Sequence, residues 1–218
     1  MTLLTLQPAW LEWPETQKLM HVLEKHDQQF RFVGGAVRDA LLEKEVQDVD
    51  LATSLKPEQV MGVLKAAGIV VIPTGLKHGT ITAKIGLRHF EITTLRRDTA
   101  CDGRHASIEY TDDWREDAAR RDFTMNALYM AFNGEVSDYT GGIADAQEGH
   151  VRFIGDADAR IKEDYLRILR FFRFFAAYGK PPADEAALLA CAKNAAGIER
   201  LSGERIQHEM FKLLASTH

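Results

Sequence analysis

The order of apolar and polar positions predicts helices alternating with short strands in the first 94 residues. Amphipathic stretches with apolar residues three or four apart predict helices, and short β-branched runs between turn residues predict strands. A hairpin is predicted where two of these runs flank Gly86-Leu87-Arg88. The predicted helices are residues 15–29, 37–42 and 56–67, and the predicted strands are residues 30–33, 49–52, 69–72, 80–85 and 89–93.

The pattern changes twice further along the chain. Residues 96–115 are polar and irregular, which predicts a mobile loop. Beyond about Ala144 the β-branched runs disappear, and helices are predicted at roughly 157–178, 183–195 and 203–215. We therefore expect an α+β fold of two parts. The first is a head domain with a small mixed β-sheet and flanking helices, and the second is an all-α neck; they comprise residues 1–144 and 145–218.

Composition places the chain among ordinary globular proteins. Hydrophobic residues make up 45% of the 218 residues and charged residues 27%, with a formal net charge of −5. An acidic balance argues against an extended surface that grips phosphates, although it leaves room for a local basic cleft. No apolar run approaches the roughly 18 residues of a membrane span. Residues 1–13 lack the pattern of a signal peptide, so neither feature is expected.

The two cysteines, Cys101 and Cys191, lie far apart in sequence and fit no metal-binding spacing. They also do not form the dense cysteine pattern of small secreted domains that are held together by disulfides. A reducing compartment is therefore expected, and the cytoplasm is the predicted location.

The first segment with candidate chemistry is a glycine pair between a predicted strand and a predicted helix. Gly34 and Gly35 allow a sharp turn and a close approach of the backbone to a ligand. Free N–H groups at a helix start favour an anion such as a triphosphate, and Arg38, one turn later, could pair with a phosphate oxygen. Taken alone, the pair is more often only a turn.

Three carboxylates follow in and near predicted strands. Asp48 and Asp50 are two residues apart, so a strand would direct both side chains to one face. Their mutual repulsion favours a divalent cation between them, and carboxylates with phosphate oxygens are typical ligands of Mg²⁺. Glu91, in a later strand, would complete a two-metal site, or it is the exposed half of an alternating strand. A solvated acidic turn is the other interpretation of the aspartate pair.

A second polar cluster lies in a short apolar segment. Arg121, Asp122 and Asn126 alternate with Phe123 and Met125, so their polar groups are expected at a buried rim where an unpaired group is costly. Arginine suits a triphosphate and aspartate suits a ribose hydroxyl. An internal arginine–aspartate salt bridge is an equally good interpretation.

A third cluster lies in the helix predicted from residue 157 to 178. Asp164 and Arg167 are one turn apart, so together they could hydrogen-bond the pairing edge of a base. A surface salt bridge between the two is the alternative. Arg170 and Arg173 continue the same side. The apolar stripe that we expect to face a core consists of Tyr165, Leu169, Phe172 and Ala176.

Four segments in order resemble the class II CCA-adding enzymes, a family of tRNA nucleotidyltransferases and poly(A) polymerases in the polymerase-β-like superfamily. Any one segment is modestly specific, but four in this order are highly specific. The resemblance runs from about residue 30 to the end and covers the head and neck of the family. The segments are Phe32 to Asp39 with Asp48-x-Asp50, Arg120 to Ala127, Glu163 to Arg173, and Leu201 to Ile206 followed by Glu209 and Lys212.

The resemblance implies a role for each segment. Asp48 and Asp50 would hold Mg²⁺, with Glu91 as a third catalytic carboxylate. Asp122 would contact the ribose, and the pair at positions 164 and 167 would read the base. The full set of implied nucleotide-binding residues is Gly34, Gly35, Arg38, Arg121, Asp122, Asn126, Asp164, Arg167, Arg170 and Arg173.

The family activity implied is transfer of CMP and AMP from CTP and ATP to the 3′ end of tRNA by a two-metal mechanism. The segment from Arg96 to Trp114 resembles the flexible loop thought to help the switch from CTP to ATP. Family members usually continue into helical body and tail domains that hold the tRNA. We therefore expect this chain to carry the head and neck without them and to bind tRNA weakly.

Two alternatives stay open at this point. A poly(A) polymerase or an A-only adding enzyme shares the head and neck, although Pro73 to Thr80 resembles the CCA-adding version of that region. A non-catalytic module that binds nucleotide or RNA is the second alternative, and the presence of both Asp48 and Asp50 argues against it. No membrane partner is expected, and the sequence does not predict the oligomeric state.

Overall fold

A computed structural model describes residues 4–98 and 108–216. The chain divides into two compact units. The first comprises Met1–Arg120 and Leu128–Tyr139, and the second comprises Arg121–Ala127 and Thr140–His218. The division thus falls after Tyr139, near the boundary predicted after residue 144, and the short polar segment at 121–127 groups with the second unit.

The first unit is built on a seven-stranded sheet whose strand order is β3-β4-β5-β2-β1-β8-β9. Only the β2–β5 pair is parallel, so the sheet is mixed, as predicted. Two further strands, β6 and β7, pair with each other. The strands are β1 (Phe30–Val33), β2 (Asp50–Thr53), β3 (Val70–Gly75), β4 (Thr80–Ile85), β5 (Arg88–Thr94), β6 (Arg96–Asp98), β7 (Ile108–Tyr110), β8 (Leu128–Met130) and β9 (Val136–Asp138).

One face of this sheet forms the core of the first unit. The helices are α1 (Pro14–Leu23), α2 (Gly35–Leu41), α3 (Pro57–Ala66) and α4 (Trp114–Ala119). Trp10 packs edge-on against Phe32, and α3 packs on β3 and β4. Along β5 the buried side chains of this face alternate with more exposed ones, which is the period of a sheet with one covered side, whereas Ala52 and Tyr129 are buried on the opposite face as well. The fully buried side chains of the core face are Phe30, Phe32, Leu51, Phe90, Ile92 and Ile81.

Two predicted elements of the first unit differ from the structure. The helix predicted for residues 15–29 ends at Leu23, and a 3₁₀ turn covers Glu24–Gln29. The loop predicted for residues 96–115 has ordered ends, because β6 and β7 pair and Asp113 caps α4 by accepting a hydrogen bond from the Arg115 N–H at 2.8 Å. The middle of that loop, residues 99–107, lies outside the described residues.

The second unit is helical, as the sequence predicted. Its helices are α5 (Gly142–Glu148), α6 (Ala157–Glu163), α7 (Leu166–Tyr178), α8 (Glu185–Asn194) and α9 (Gly203–Leu214). Within α8 the thiol of Cys191 is buried, and burial raises its pKa to about 11, so it is unreactive at neutral pH. In the part of the chain that the structure describes, no helix is long and apolar enough to span a bilayer.

The apolar stripe predicted for α7 is wrong. Phe172 is 42% exposed, whereas Phe171 and Phe174 are buried in a cluster of phenylalanine rings with Phe123 and Phe153. The helix therefore presents the side that carries its arginines to the interior of the second unit. Periodicity alone pointed to the wrong side because both sides of α7 carry aromatic residues, and only the packing of the remote Phe123 and Phe153 decides between them.

Candidate functional site

The glycine pair has the conformation that the sequence predicted. Gly34 has φ 71° and ψ −123°, a backbone conformation that side chains with a Cβ rarely adopt, and it precedes the first residue of α2, Gly35. The Gly34 N–H donates to the Leu128 carbonyl at 3.0 Å, which ties the turn to the neighbouring strand β8. The sharp turn therefore ends β1 at Val33 and starts α2 at once.

Arg38 lies in α2 with a side chain that is only 7% exposed. Its Nε and Nη2 atoms donate to the two carboxylate oxygens of Asp39, each at 2.9 Å. Such a two-point bond fixes the plane of the guanidinium. Asp39 is thus a positioning residue that sequence reasoning left without a role, although its place directly after the arginine was a signal for one.

The structure brings two of the three predicted catalytic carboxylates onto one sheet face. Val33 pairs with Asp50, and Leu51 pairs with Ile92 on the parallel strand β5, so Asp50 and Glu91 are neighbours on the face opposite the core. Asp48 is exposed and precedes the strand, so the two-residue strand rule does not fix its direction. The strand begins later than predicted because β1, its partner, ends at the glycine turn.

These carboxylates fit part of a metal site. Among the residues that the structure describes, no group of three histidine, cysteine or acidic side chains is gathered closely enough to hold a metal ion. Mg²⁺ is usually bound by one or two carboxylates, with phosphate oxygens and water completing its octahedron. The donor set at Asp50 and Glu91, with the exposed Asp48 nearby in sequence, therefore suits a cation that arrives with a nucleotide.

In the second unit Asp122 is the centre of a saturated hydrogen-bond network. Its Oδ1 accepts from the Phe123 N–H at 2.8 Å and from Asn126 Nδ2 at 3.0 Å. Its Oδ2 accepts from Arg170 Nε at 2.8 Å and also from Arg170 Nη2. The predicted salt bridge of this segment is therefore formed, and its partner is the arginine of α7 rather than Arg121.

The network also decides the charge state of Asp122. Burial alone would raise the pKa of its carboxyl, but the Arg170 charge and the hydrogen bonds from Asn126, Arg170 and the Phe123 N–H outweigh burial and hold the pKa below its usual value. For Arg170, burial lowers the pKa, and the charges of Asp122 and Glu209 more than reverse that effect. Both groups are ionised at neutral pH.

Glu209 of α9 completes this network from the other side. Its side chain is 5% exposed, and its Oε2 accepts from Arg173 Nε at 2.6 Å while Oε1 lies 3.4 Å from Arg170 Nη1. It is the buried residue of α9, whose other side chains are exposed or half-buried. Sequence reasoning quoted Glu209 in a motif without giving it a function, because its separation of 36 positions from Arg173 conceals the pairing.

The predicted helix of residues 157–178 is interrupted at Asp164. Asp164 has an extended backbone, and its Oδ1 accepts from the Leu166 N–H at 3.1 Å, as a capping residue does at the start of a helix. A new helix, α7, therefore begins there. Sequence reasoning missed this break because aspartate is also tolerated within helices.

Asp164 and Arg167 do not pair with each other, so the surface salt bridge weighed as an alternative is not formed. Asp164 Oδ2 instead accepts from Arg205 Nη2 at 2.7 Å. Arg167 Nη1 donates to the Arg160 carbonyl at 2.6 Å and to Glu163. The two side chains predicted to read a base are thus held separately, each by its own partners.

Arg121 contributes its backbone to this region. Its carbonyl accepts from Arg160 Nη2 at 2.9 Å, which joins the segment 121–127 to α6. The second unit therefore gathers seven of the predicted residues, and the first unit holds the carboxylates and the glycine turn. The seven are Arg121, Asp122, Asn126, Asp164, Arg167, Arg170 and Arg173.

Comparison with known proteins gives consistent matches. The family model of the poly A polymerase head domain matches residues 30–152. The chain is 46% identical over 205 residues to the mitochondrial CCA tRNA nucleotidyltransferase 1 of Mus musculus, a match that covers 93% of this chain and 47% of that protein. It is 38% identical over 207 residues to the CCA-adding enzyme of Leuconostoc citreum, covering 93% and 50%. The chain spans about half the length of the curated relatives it matches.

Solved structures show the same likeness. The Bacillus stearothermophilus CCA-adding enzyme in complex with CTP matches with a TM-score of 0.81 and 34% identity, over 94% of this chain and 49% of that one. The Thermotoga maritima CCA-adding enzyme complexed with tRNA matches with a TM-score of 0.73 and 24% identity, over 92% and 47%, which shows a likeness of fold alone. The α+β fold expected from the sequence is therefore confirmed.

The glycine pair predicts two different responses to alanine. Gly34→Ala forces a Cβ into a backbone conformation with φ 71° and should lower the free energy of unfolding by about 1–3 kcal/mol. Gly35→Ala places its Cβ 3.6 Å from Arg38 Nη2, an ordinary contact, and should change stability by less than about 0.5 kcal/mol. Urea unfolding of both variants measures the difference, and equal destabilisation would show that the turn is not strained in this way.

The Asp122 network predicts a stability effect that depends on pH. Because the folded pKa of Asp122 lies below its unfolded value of about 3.9, its charge stabilises the fold above that value and the effect is lost as pH falls through the folded pKa. Asp122→Asn should therefore cost about 2 kcal/mol at pH 7 and less below pH 4. Urea unfolding at pH 7 and pH 3 tests this, with the exposed Asp112→Asn as control. If the difference in the free energy of unfolding between the parent and Asp122→Asn is as large at pH 3 as at pH 7, the ion-pair account is contradicted.

Proposed function

The chain belongs to the poly A polymerase head-domain family, and from that membership we propose that it transfers CMP and AMP from CTP and ATP to the 3′ end of tRNA. The observation that carries this proposal is that Asp50 and Glu91 lie next to each other on the sheet face opposite the core. Val33, which pairs with Asp50, directly precedes the glycine turn. In the reaction the RNA 3′ oxygen bonds to the α-phosphorus, the bond to the bridging β-phosphate oxygen breaks, pyrophosphate leaves, and the hydroxyl proton passes to solvent.

Nucleotidyltransferases of this kind generally use a divalent metal, and we propose Mg²⁺, held by Asp48 and Asp50 with Glu91 as the third carboxylate. When bound, the metal neutralises charge that develops on the transferred phosphate and lowers the pKa of the attacking hydroxyl. Gly34 shapes the turn, with its own N–H bonded to the Leu128 carbonyl, and Gly35, the first residue of α2, would bring its backbone N–H close to the triphosphate. These five residues are the contribution of the first unit, together with Arg38, which is oriented by Asp39.

The second unit would select the sugar and the base. Asp122 already accepts four hydrogen bonds, so a ribose hydroxyl would share an oxygen with Asn126 or Arg170. Asp164 accepts a hydrogen bond and Arg167 donates, which suits the amino group and ring acceptors of cytosine or adenine. Uracil and guanine present a carbonyl where the carboxylate requires a donor, which costs about 1–3 kcal/mol. Arg121 and Arg173 are further proposed contacts.

The cysteines support a reducing compartment such as the cytoplasm, because they are not arranged as a disulfide framework. This location is part of the proposal.

Replacing the carboxylates should abolish transfer. Asp50→Ala and Asp48→Ala are each expected to lower CTP incorporation into tRNA that lacks its 3′ end by at least about 10³-fold, because the charge-neutralising metal loses a ligand. The fold should be retained, since neither side chain lies in the core. Glu58→Ala, at an exposed carboxylate of α3 outside the sheet, is the control. Near-normal incorporation by either carboxylate variant at saturating Mg²⁺ would refute the metal assignment.

Selectivity should depend on Asp164. Serine at this position can still cap α7 but lacks the carboxylate, so Asp164→Ser should change the free energy of unfolding by less than about 0.5 kcal/mol. We expect the parent to take CTP and ATP and to reject UTP and GTP, and the variant to lose that preference. Competition assays with all four nucleotides measure it. A variant that keeps the parent's preference would leave Asp164 as a cap and a partner of Arg205 only.

A further inference from the structure

The sheet face opposite the core of the first unit carries an arginine that the proposed function does not use. Arg31, in β1, donates from Nη1 to the Tyr139 hydroxyl at 2.7 Å and to Ser137 Oγ at 3.3 Å. Its guanidinium carbon lies 4.2 Å from the centre of the Trp114 ring. The guanidinium is thus stacked on one side and hydrogen-bonded at one nitrogen, which fixes its orientation.

Arg31 has only neutral partners, unlike three other arginines of the first unit. Arg38 pairs with Asp39, Arg97 with Glu109, and Arg120 with Asp117. Within residues 4–98 and 108–216, by contrast, Arg31 makes no ion pair with a carboxylate, and its Nε and Nη2 atoms make no hydrogen bond. A half-buried cation with two spare donors is suited to an anionic ligand.

The strand register places this cation relative to the carboxylates. Arg31 pairs with Ala52, and Val33 pairs with Asp50, so Arg31 projects to the same face as Asp50 and stands one step earlier along β1. That step of two residues is about 7 Å. Along β1 the order is therefore Arg31, then Val33 with Asp50 beside it on β2, then the glycine turn that begins at Gly34.

The geometry of the proposed reaction indicates which substrate binds near Arg31 and which binds near the glycine turn. In a displacement at phosphorus the attacking and leaving oxygens lie on opposite sides of the transferred group, and the metal ligands lie between them. The triphosphate, with its leaving group, belongs at the glycine turn. The attacking RNA strand therefore belongs on the side of Asp50 that carries Arg31.

We propose that Arg31, held by Trp114 and Tyr139, binds a backbone phosphate of the RNA strand close to its 3′ end. This inference rests on the proposed function and adds a residue that positions the second substrate. The cluster is built for rigidity, since Trp114 packs edge-on against the buried Tyr129 with ring centres 5.4 Å apart. A guanidinium that is already ordered loses little entropy when it binds. Arg115, exposed and 5.3 Å from the Tyr139 ring, adds positive charge beside it.

The chain offers a matched control for this residue. Arg88 also stacks on a tryptophan, with its guanidinium carbon 3.3 Å from the centre of the Trp13 ring, but it lies 3.7 Å from the Glu15 carboxylate. It pairs with Ile85, and its position in β5 places it on the opposite face from Glu91. Arg31→Met and Arg88→Met thus remove the same charge from similar stacks on the two faces of one sheet.

The test measures RNA and nucleotide separately. For Arg31→Met we expect the KM for tRNA lacking its 3′ end to rise at least about tenfold, since a charge-assisted hydrogen bond to phosphate is lost. The dependence of log affinity on log salt should become shallower by about one unit. The KM for CTP should stay within about twofold of the parent's, and Arg88→Met should change neither KM. Arg31→Lys, which keeps the charge, should recover part of the RNA affinity.

A second readout separates this inference from the proposed activity. Fluorescence anisotropy of a labelled RNA minihelix, without nucleotide or metal, should show the same loss of affinity in Arg31→Met as the KM does. If the parent does not transfer nucleotides but Arg31→Met binds the minihelix more weakly than the parent does, the proposed function is refuted and the RNA contact is supported. An unchanged RNA affinity in Arg31→Met overturns the contact. If Arg31→Met instead raises the KM for CTP, Arg31 contacts the nucleotide and the proposed RNA contact is refuted. If the parent itself does not bind the minihelix, the inference is also refuted.

Discussion

The parallel pairing of β2 with β5, which brings two carboxylates together on one face of the seven-stranded sheet, is the constraint from which the rest of the site follows. Asp50 and Glu91 occupy neighbouring positions on parallel strands, where two like charges destabilise the pairing. The strands stay together because their other faces are buried, with Leu51 and Ile92 at 0% and 1% exposure. Core packing thus holds two carboxylates at neighbouring positions, an arrangement that suits the binding of a cation. The glycine turn at one end and Arg31 at the other are the groups proposed to bind the two anionic substrates.

A different balance governs the second unit, where burial and charge pairing oppose each other. Three acidic or basic groups from distant parts of the chain meet in the order Asp122, Arg170 and Glu209. None would be buried alone, since each would lose its hydration without compensation. Together they fix α7 against both the segment 121–127 and α9, so the side chains proposed to read a nucleotide are oriented before it arrives.

The sequence predicted those features that depend on local pattern. Strands β1, β4 and β5 lie where alternation placed them, and the glycine turn has the conformation its composition required. Features that depend on remote partners could not be predicted. The arginine side of α7 is buried because Phe123 and Phe153 pack there, and the partner of Asp164 is Arg205, 41 residues away. The sequence placed Asp50 and Glu91 in strands, but the late start of β2 follows from where its partner strand ends.

The most direct test of the proposed activity is the length and sequence of the product made by this chain. A tRNA that lacks its 3′ CCA is incubated with Mg²⁺ and with CTP, ATP or both, and the products are resolved on a denaturing gel and sequenced. The account predicts two added residues with CTP alone, three with both nucleotides in the order C, C, A, and none with UTP or GTP. A long adenylate tail, or no extension of the RNA by a folded chain, would contradict it.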